Sequence, residues 1–238
     1  MNNTNKYTGD AFLQHLNEAR KLNRWIYDYI EQYLGESVLE VGCGIGNITE
    51  FLVADDRLRL TAIDIEPSYV EAVTGKFAAR GGFQALVQDI TSPGLVASLG
   101  AEAFDTIVCL NVLEHIQDDR ATLRYFHDLL HEKGRLALLC PAHPCLFGSM
   151  DRDVGHYRRY ERDKLEFMLK ETGFKVIRSF YFNSFNVLGW WFNGKVLGSR
   201  HASPLQIRLV EAVVPLLRFW EDRVKLPFGL SILVIAEK

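Results

Sequence analysis

Three glycines at every second position, Gly42, Gly44 and Gly46, follow a short apolar run that begins at Val38. Glycine lacks a Cβ atom, so such a turn can adopt positive φ angles and let a ligand approach the backbone. A helix predicted to begin at Asn47 would direct its free N–H groups toward the turn. The pattern favours an adenosine-type cofactor at the carboxyl end of the first strand of a doubly wound sheet. A tight strand-to-helix turn without a ligand is the alternative.

Glu40 places a carboxylate inside the apolar strand just before the turn. A buried carboxylate is costly unless it is paired, so Glu40 predicts a cationic or hydrogen-bond-donating partner. The dinucleotide fingerprint is G-x-G-x-x-G, whereas this chain has G-x-G-x-G. The negative pyrophosphate of NAD would be repelled by Glu40, while a sulfonium and an amino group would be attracted. An NAD-dependent oxidoreductase is therefore the less favoured enzyme, and a non-catalytic binding module with a cofactor fold is a third class.

Two further acids end predicted strands. Asp64 closes the strand at 58–65, about 20 residues after the glycine turn, where an acid can accept hydrogen bonds from ribose hydroxyls. Asp89 follows the strand at 83–87 and could accept from an exocyclic amine such as that of adenine. The alternative for Asp89 is a solvated turn residue.

Strands that alternate with helices predict an α/β fold with a doubly wound, Rossmann-like parallel sheet and right-handed crossovers. Apolar periodicity predicts helices at 11–34, 69–80, from about 117 to 131, at 164–172 and at 204–224, the last kinked at Pro215. It predicts strands at 38–41, 58–65, 83–87, 104–110, 134–139, 174–182 and 230–236. We expect one domain: a helical cover at 1–34, a cofactor-binding core at 35–182, a helical and aromatic insertion or lid at 183–228, and a last strand at 229–238.

Composition indicates a globular protein, with 238 residues, 48% hydrophobic content and a net charge of −3. The near balance of charge argues against nucleic acid as a partner. The polar N-terminus and the lack of a long apolar run predict a cytoplasmic protein. Four cysteines are present, and the spacing of Cys140, His143 and Cys145 does not match a zinc pattern, so we expect neither a metal site nor disulfides.

These motifs together resemble a class I S-adenosylmethionine-dependent methyltransferase. The similarity rests on LEVGCGIG at 39–46, on Asp64, on Asp89 with Ile90, and on FDTIV at 104–108. NVLEHI at 111–116 is similar to the ubiquinone-biosynthesis-like branch, which holds many small-molecule methyltransferases. The resemblance covers roughly residues 20 to 185 and implies a seven-stranded sheet with an antiparallel last strand.

The same resemblance implies which residues hold S-adenosylmethionine and its product S-adenosylhomocysteine. Glu40 and the turn from Gly42 through Cys43 and Gly44 to Gly46 would contact the methionine part. The remaining cofactor contacts would be Asp64 with the ribose, Ile65 with the adenine face, Asp89 and Ile90 with the adenine amine edge, and Asn111 at the methyl-donor end.

Acceptor-side groups are expected from the loops after strands four and five. Three histidines there, His115, His143 and His156, are candidate catalytic bases, since their ordinary pKa of about 6.5 suits neutral pH. His115 could instead cap a helix. A base is needed only if the acceptor must lose a proton.

The run from His156 to Tyr160 predicts a binding site for the acceptor. Tyr157, Arg158, Arg159 and Tyr160 suit a carboxylate or phosphate in apolar surroundings. A salt-bridged lead into the next helix is the alternative. If either guanidinium faces the pocket, the acceptor is anionic.

The segment 183–228 departs from the family, in which the last two strands are joined by a short link. It contains an aromatic run around Trp190, a candidate acceptor contact, and a basic stretch at Lys195, Arg200 and His201. Exposed aromatic residues predict a lid, a dimer contact or a peripheral membrane surface. A helical pair packed on the core is the alternative. We expect a small, anionic or lipid-like acceptor, with O-, N- and C-methylation all left open.

Overall fold

The computed structural model describes residues 19–192, 204–224 and 226–238. Its seven strands are β1 (Ser37–Val41), β2 (Arg59–Asp64), β3 (Phe83–Val87), β4 (Phe104–Leu110), β5 (Leu130–Pro141), β6 (Lys175–Phe182) and β7 (Ser231–Glu237). The strands form one sheet in the order β3-β2-β1-β4-β5-β7-β6. β7 pairs antiparallel with both β5 and β6, and the other pairs are parallel. The prediction of a doubly wound seven-stranded sheet with an antiparallel last strand is confirmed.

The helices of the described residues are α1 (Arg20–Ile30), α2 (Thr49–Leu52), α3 (Pro67–Phe77), α4 (Leu95–Leu99), α5 (Asp119–Leu129), α6 (Ser149–Asp153), α7 (Arg162–Glu171), α8 (Val187–Trp191) and α9 (Pro204–Glu221). Short 3₁₀ turns cover Glu31–Tyr33, Leu113–His115, Pro144–Leu146 and Ser184–Asn186. Most of these helices cover the two faces of the sheet.

Alternate side chains of the central strands enter two separate apolar layers. In β7, Ile232 and Val234 pack with α5 and α7 on one face, while Leu233 and Ile235 pack with α1 on the other. Both sets are fully buried. A strand covered by helices on both faces must be apolar at every position, which explains the unbroken apolar run that predicted β7.

The helix predicted to begin at Asn47 begins two residues later, at Thr49. Residues 44–48 form turns, and the helix itself is only α2, Thr49–Leu52. The three positive-φ glycines bend the chain for longer than one tight turn requires, so regular helical hydrogen bonds begin late. In the opposite sense, β5 begins at Leu130 rather than at residue 134, because Leu130 still pairs with Phe104 of β4.

α9 packs against α1 through one acidic residue that bonds twice. The Glu211 carboxylate accepts hydrogen bonds from the backbone N–H groups of Lys21 and Leu22, at 2.9 and 3.1 Å, in the first turn of α1. Pro215 has no N–H, so it cannot bond to the Glu211 carbonyl one turn earlier. Lys21 Nζ donates to that carbonyl instead, at 3.2 Å. Pro215 therefore leaves the Glu211 carbonyl free to accept the hydrogen bond from Lys21, which connects α9 to α1.

The insertion at 183–228 is anchored at its far end by a buried carboxylate. Glu221 accepts hydrogen bonds from the backbone N–H groups of Asn183 and Ser184, at 2.6 and 2.9 Å. The helix predicted at 11–34 is described only from residue 20, and the basic stretch at Lys195, Arg200 and His201 lies outside the described residues. Within the described part of the chain, no helix is both long enough and apolar enough to cross a membrane.

Candidate active site

The glycine turn connects β1 to α2 with three positive φ angles, 73° at Gly42, 51° at Gly44 and 91° at Gly46. L-residues with side chains rarely adopt this region. A Cβ atom at Gly42 would lie 2.4 Å from Val112 Cγ2, so the position also lacks room for a side chain. At the carboxyl end of β1, the backbone of the turn is therefore not covered by its own side chains, and a ligand can approach it.

Glu40 is 4% exposed and lies beside this turn. Its Oε2 atom accepts a hydrogen bond of 2.7 Å from Thr49 Oγ1. Burial raises the pKa of Glu40 to about 8. The sequence predicted a cationic or donor partner; Thr49 is a neutral donor, and none of the described residues that line the adjoining cleft is a lysine or arginine.

Asp64 and Asp89 lie at the ends of the neighbouring strands. Asp64 Oδ2 accepts from Gly44 N at 2.8 Å and its Oδ1 from Glu66 N at 3.0 Å, so it fixes the glycine turn. Burial raises the pKa of Asp64. Asp89 Oδ1 accepts from the backbone N–H and the hydroxyl of Thr91, at 2.8 and 2.7 Å. Both acids are therefore held in fixed orientations by local bonds.

The apolar residues next to these acids differ in their exposure to solvent. Ile65 is 66% exposed, so its side chain is available to a planar group, whereas Ile90 is 7% exposed and packs into the core. Ile90 can therefore offer a ligand only its backbone. Asn111 follows β4 with a φ angle of 55° and is exposed in the cleft.

A cleft of about 220 Å³ opens between the glycine turn and the ends of β1 and β4. Asn23 and Ile26 of α1 line one side of it, and the N-terminal helix as a cover for the cofactor stays a prediction. The lining residues are Asn23, Ile26, Glu40, Val41, Gly42, Cys43, Gly44, Asn47, Ile48, Val108, Leu110, Asn111, His115, Val154 and His156. Gly46, Asp64, Ile65, Asp89 and Ile90 lie outside this lining.

Two of the three predicted histidines meet in the cleft. The rings of His115 and His156 contact edge to face, with their centroids 4.7 Å apart. Desolvation and the neighbouring His156 lower the pKa of His115, which keeps its imidazole neutral at pH 7. His115 belongs to a 3₁₀ turn, so the alternative of a helix cap does not describe it.

His156 is held by an acid that the sequence analysis did not identify. Its Nδ1 atom lies 3.0 Å from Asp151 Oδ1. Although burial raises the pKa of Asp151, its bond with His156 and the charge of Arg159 lower it below the ordinary value. An ionised Asp151 requires a proton on Nδ1, so Nε2 of a neutral His156 is left as an acceptor.

Glu114 is the second residue that the sequence analysis did not single out. It is fully buried, and neither carboxyl oxygen has a hydrogen-bond partner among the described residues. Burial raises the pKa of Glu114 to about 8. Glu114 Oε1 lies 3.8 Å from His156 Nε2, and ligand atoms of Glu114, His115 and His156 lie within 4.8 Å of one another. Such a group could hold a divalent ion; the expectation of no metal site stays a prediction.

His143 lies elsewhere. Its ring stacks on Tyr181 with a centroid distance of 4.8 Å and an interplanar angle of 17°, and it is not among the cleft residues. Desolvation lowers its pKa. His143 has a positive φ angle of 59°, and its ring packs on Tyr181 of β6. The geometry therefore favours His156 over His143 as a base.

The two guanidiniums predicted to bind an anionic acceptor make bonds within the protein instead. Arg159 is 5% exposed and donates to Asp151 Oδ1 at 2.7 Å and to the Ala142 carbonyl at 3.1 Å. Arg158 donates to Asp119 Oδ2 at 2.8 Å and to the Gln117 carbonyl at 2.8 Å. A buried arginine needs a carboxylate partner, and Asp151 satisfies that need for Arg159. The alternative of a salt-bridged structural segment describes both better.

The aromatic residues of this region also have internal roles, with one exception. The Tyr160 hydroxyl donates to Asp119 Oδ2 at 3.0 Å from a buried position. Trp190 lies with its ring 4.9 Å from Arg159 Cζ, a cation–π distance. Tyr157 is 57% exposed and remains accessible to a ligand. The run 156–160 thus fixes His156 at the cleft by joining the loops after β4 and β5.

Comparison with known proteins agrees with this fold and site. Residues 39–136 match the family model described as "Methyltransferase domain". This match, together with the fold, confirms the resemblance to a class I S-adenosylmethionine-dependent methyltransferase that was inferred from the sequence. The matched range contains the cofactor side and ends before His156.

Two curated relatives carry the same printed name. The chain is 36% identical over 123 residues to "Ubiquinone biosynthesis O-methyltransferase" from Xanthomonas oryzae pv. oryzae (strain PXO99A), covering 49% of each chain. It is 35% identical over 121 residues to the protein of that name from Xylella fastidiosa (strain 9a5c), covering 48% of this chain and 47% of the relative. The chain spans about half the length of the curated relatives it matches.

Solved structures share the fold at low identity. A SAM-dependent methyltransferase from Archaeoglobus fulgidus gives a TM-score of 0.62 at 19% identity, over 92% of this chain and 94% of that chain. The N-methyltransferase NodS from Bradyrhizobium japonicum WM9, crystallised with S-adenosyl-L-homocysteine, gives 0.56 at 16%, over 90% and 83%. The [4+2]-cyclase SpnF gives 0.60 at 16%, over 92% and 81%. The fold thus accommodates more than one chemistry, and the site must decide the activity.

Proposed function

We propose that this chain transfers a methyl group from S-adenosylmethionine to a small-molecule acceptor. The observation that carries the proposal is the pair of hydrogen-bond acceptors in the cleft. Glu40 lies there without a cationic residue among the described lining, and Asn47 Oδ1 is buried without a hydrogen-bond partner in the described chain. Two such acceptors fit a ligand that brings both positive charge and N–H donors. The sulfonium and the amino group of the cofactor have this chemistry.

S-adenosylmethionine, when bound, supplies a methyl group on a positively charged sulfur that leaves as a neutral thioether. The protein then has to align the acceptor and exclude water, and alignment alone can contribute roughly 7–11 kcal/mol. Asn111 and His115 lie beside the glycine turn in the same cleft. They are the groups that we propose to border the reacting atoms.

His156 is the base of the proposed reaction. The acceptor O–H bond breaks as its oxygen forms the new bond to the methyl carbon, and the C–S electron pair stays on sulfur. The proton passes to His156 Nε2, while the bond from Nδ1 to Asp151 stabilises the resulting imidazolium. A positioned base of this kind contributes roughly 10²–10⁴-fold.

A hydroxyl oxygen is the acceptor atom that we favour. The matched relatives are named O-methyltransferases, and an imidazole that bonds to a carboxylate through Nδ1 suits the deprotonation of a phenol-like hydroxyl. The support for an anionic acceptor is weaker than the sequence suggested, since Arg158 and Arg159 bond within the protein. The exposed apolar residues of α8 and α9 support a lipid-like acceptor.

Calorimetry with S-adenosylmethionine, S-adenosylhomocysteine and NAD tests the cofactor. We expect binding of the first two and none of NAD. Glu40→Gln and Asn47→Ala should each weaken binding of S-adenosylmethionine, whereas Glu71→Gln, at an exposed position on α3, should leave it unchanged. Binding of NAD alone would establish the oxidoreductase instead.

The acceptor is identified by incubating the protein and methyl-labelled S-adenosylmethionine with a metabolite extract. We expect label in a small apolar molecule that carries a hydroxyl group. Cofactor binding without label transfer to any fraction would favour the non-catalytic binding module.

A further inference from the structure

One side of α9 presents apolar side chains to solvent from Leu209 to Trp220. Leu209, Leu216, Phe219 and Trp220 are between 50% and 59% exposed, and Val213 is 44% exposed. Residues 209, 213, 216 and 220 follow helical spacing, so they form one stripe. A solvent-exposed helix ordinarily has polar residues on this side, and an apolar stripe of this length indicates a binding surface. We call these five residues the outer stripe of α9.

The orientation of the helix is fixed by bonds on its other side. Val214 is buried against the core, Glu211 bonds to the first turn of α1, and Arg218 pairs with Asp28. Glu221 bonds to the backbone at Asn183 and Ser184. The helix cannot rotate to bury the outer stripe without breaking these contacts.

The charges around the outer stripe indicate which kind of partner could bind it. Glu211 and Asp222 bond to α1 and Glu221 bonds to the turn at Asn183, so no carboxylate described between residues 208 and 224 belongs to the stripe. Arg223, just beyond the end of α9, lies with its Cζ 3.6 Å from the centroid of the Phe219 ring and places a cation at the border of the stripe. Arg208, one residue before Leu209, is also exposed. An apolar stripe with basic residues and aromatic rings suits the interface of an anionic bilayer.

A second helix also exposes apolar side chains. α8 follows directly after the turn that Glu221 holds, and its Leu188 and Trp191 are 75% and 47% exposed. A second copy of the chain would bring the same cations against one another, whereas anionic lipid headgroups complement them. We propose that the outer stripe of α9, with α8, docks on the surface of a membrane that contains anionic lipids.

Flotation of the full chain with lipid vesicles tests this surface without using methyl transfer, so its result is independent of the proposed activity. We expect the protein to float with phosphatidylcholine vesicles that contain about one third phosphatidylglycerol, and to bind pure phosphatidylcholine less. Leu216→Glu with Trp220→Glu should reduce binding by roughly tenfold or more, since both side chains lose their burial in lipid.

Phe167→Glu is the matched control, because Phe167 is 58% exposed on α7, which packs on the opposite face of the sheet. It should bind vesicles as the unmodified chain does, and circular dichroism should show all variants folded. Failure of the unmodified chain to bind anionic vesicles would overturn the proposal, as would equal binding by the double variant. A dimer that the double variant dissociates would assign the stripe to a second copy instead.

Discussion

His156 lies between two acids that the fold drives to opposite protonation states. Asp151 is stabilised as a carboxylate, while burial raises the pKa of Glu114 to about 8 and keeps it largely protonated at pH 7. Only the ionised acid bonds to the imidazole, through Nδ1. The neutral acid adds no negative charge next to Nε2, the nitrogen that we propose to accept the proton.

We expect His156→Gln to lower kcat for methyl transfer by roughly 10²–10⁴-fold while leaving the affinity for S-adenosylmethionine nearly unchanged. The reason is that Gln cannot accept the acceptor proton, whereas the cofactor contacts lie at the glycine turn. Steady-state kinetics and calorimetry measure the two effects. His131→Gln, at an exposed position on β5, is the control and should retain full activity. An unchanged kcat in His156→Gln would exclude a role for this imidazole as the base.

Glu40 should make the ligand-free protein less stable as pH rises. Its pKa in the fold is about 8, above the ordinary 4.5, so the fold holds this proton more tightly than the unfolded chain does. The stabilisation is complete below about pH 4.5 and is lost as pH rises through 8. Glu40→Gln removes the cost of ionisation while keeping an oxygen for the Thr49 hydroxyl.

We therefore expect the Tm of Glu40→Gln to equal that of the unmodified chain at pH 5 and to exceed it by about 5 °C or more at pH 8.5. Differential scanning calorimetry across this range measures it. Glu132→Gln, at an exposed position, should show no pH-dependent difference. A Tm that falls in Glu40→Gln at pH 8.5 would mean that the carboxylate is stabilised in the fold.

At the scale of elements, the glycine turn depends on both backbone conformation and space. In Gly42→Ala, the alanine would have to adopt the φ angle of 73°, which residues with a side chain rarely do. Its Cβ atom would also lie 2.4 Å from Val112 Cγ2. We expect a loss of about 1–3 kcal/mol in the free energy of unfolding, together with weaker binding of S-adenosylmethionine. Adding Val112→Ala should recover the steric part alone. Urea denaturation and calorimetry measure these changes.

Gly75→Ala is the control for that experiment. Gly75 lies within α3, and a Cβ there would meet no atom within 4 Å. Because alanine favours a helix over glycine, we expect it to stabilise the chain by up to about 1 kcal/mol. If Gly42→Ala proved equally harmless, the turn would not require glycine.

The segment before β7 depends on Glu221. In Glu221→Ala the buried N–H groups of Asn183 and Ser184 lose their acceptor, and we expect a loss of about 2–4 kcal/mol in the free energy of unfolding. Urea denaturation measures it, with Glu71→Ala at an exposed position as the control. A loss no larger than that of the control would show that water replaces the carboxylate.

At the scale of the whole molecule, both apolar layers share the strands of one sheet. Strands such as β7 contribute to both layers, so neither can open without exposing the other. We expect urea to unfold the chain in a single transition, with coincident curves from tryptophan fluorescence and far-UV circular dichroism. Two separated transitions would show that the insertion, including α9, unfolds before the core and would divide the predicted single domain.

The sequence predicted the order of strands and helices well, because the strands of a buried parallel sheet must be apolar runs, which can be recognised directly in the sequence. β3 and β4 begin and end at the predicted residues, and the carboxylates at Glu40 and Asp64 do lie beside the glycine turn. The run 156–160 was harder to interpret. Adjacent arginines and tyrosines have the same composition whether they bind a ligand or join two loops.

What the sequence determined alone was the class of fold and the position of the glycine turn, since both follow from local backbone needs and from apolar periodicity. Only the tertiary structure decided which histidine faces the cleft. It brings Glu114, from the 3₁₀ turn after β4, next to His156, which follows β5 and bonds to Asp151, and it stacks His143 on Tyr181. It also leaves one side of α9 uncovered. Contacts between distant residues and the exposure of a helix face depend on how elements pack, and no spacing along the chain encodes them.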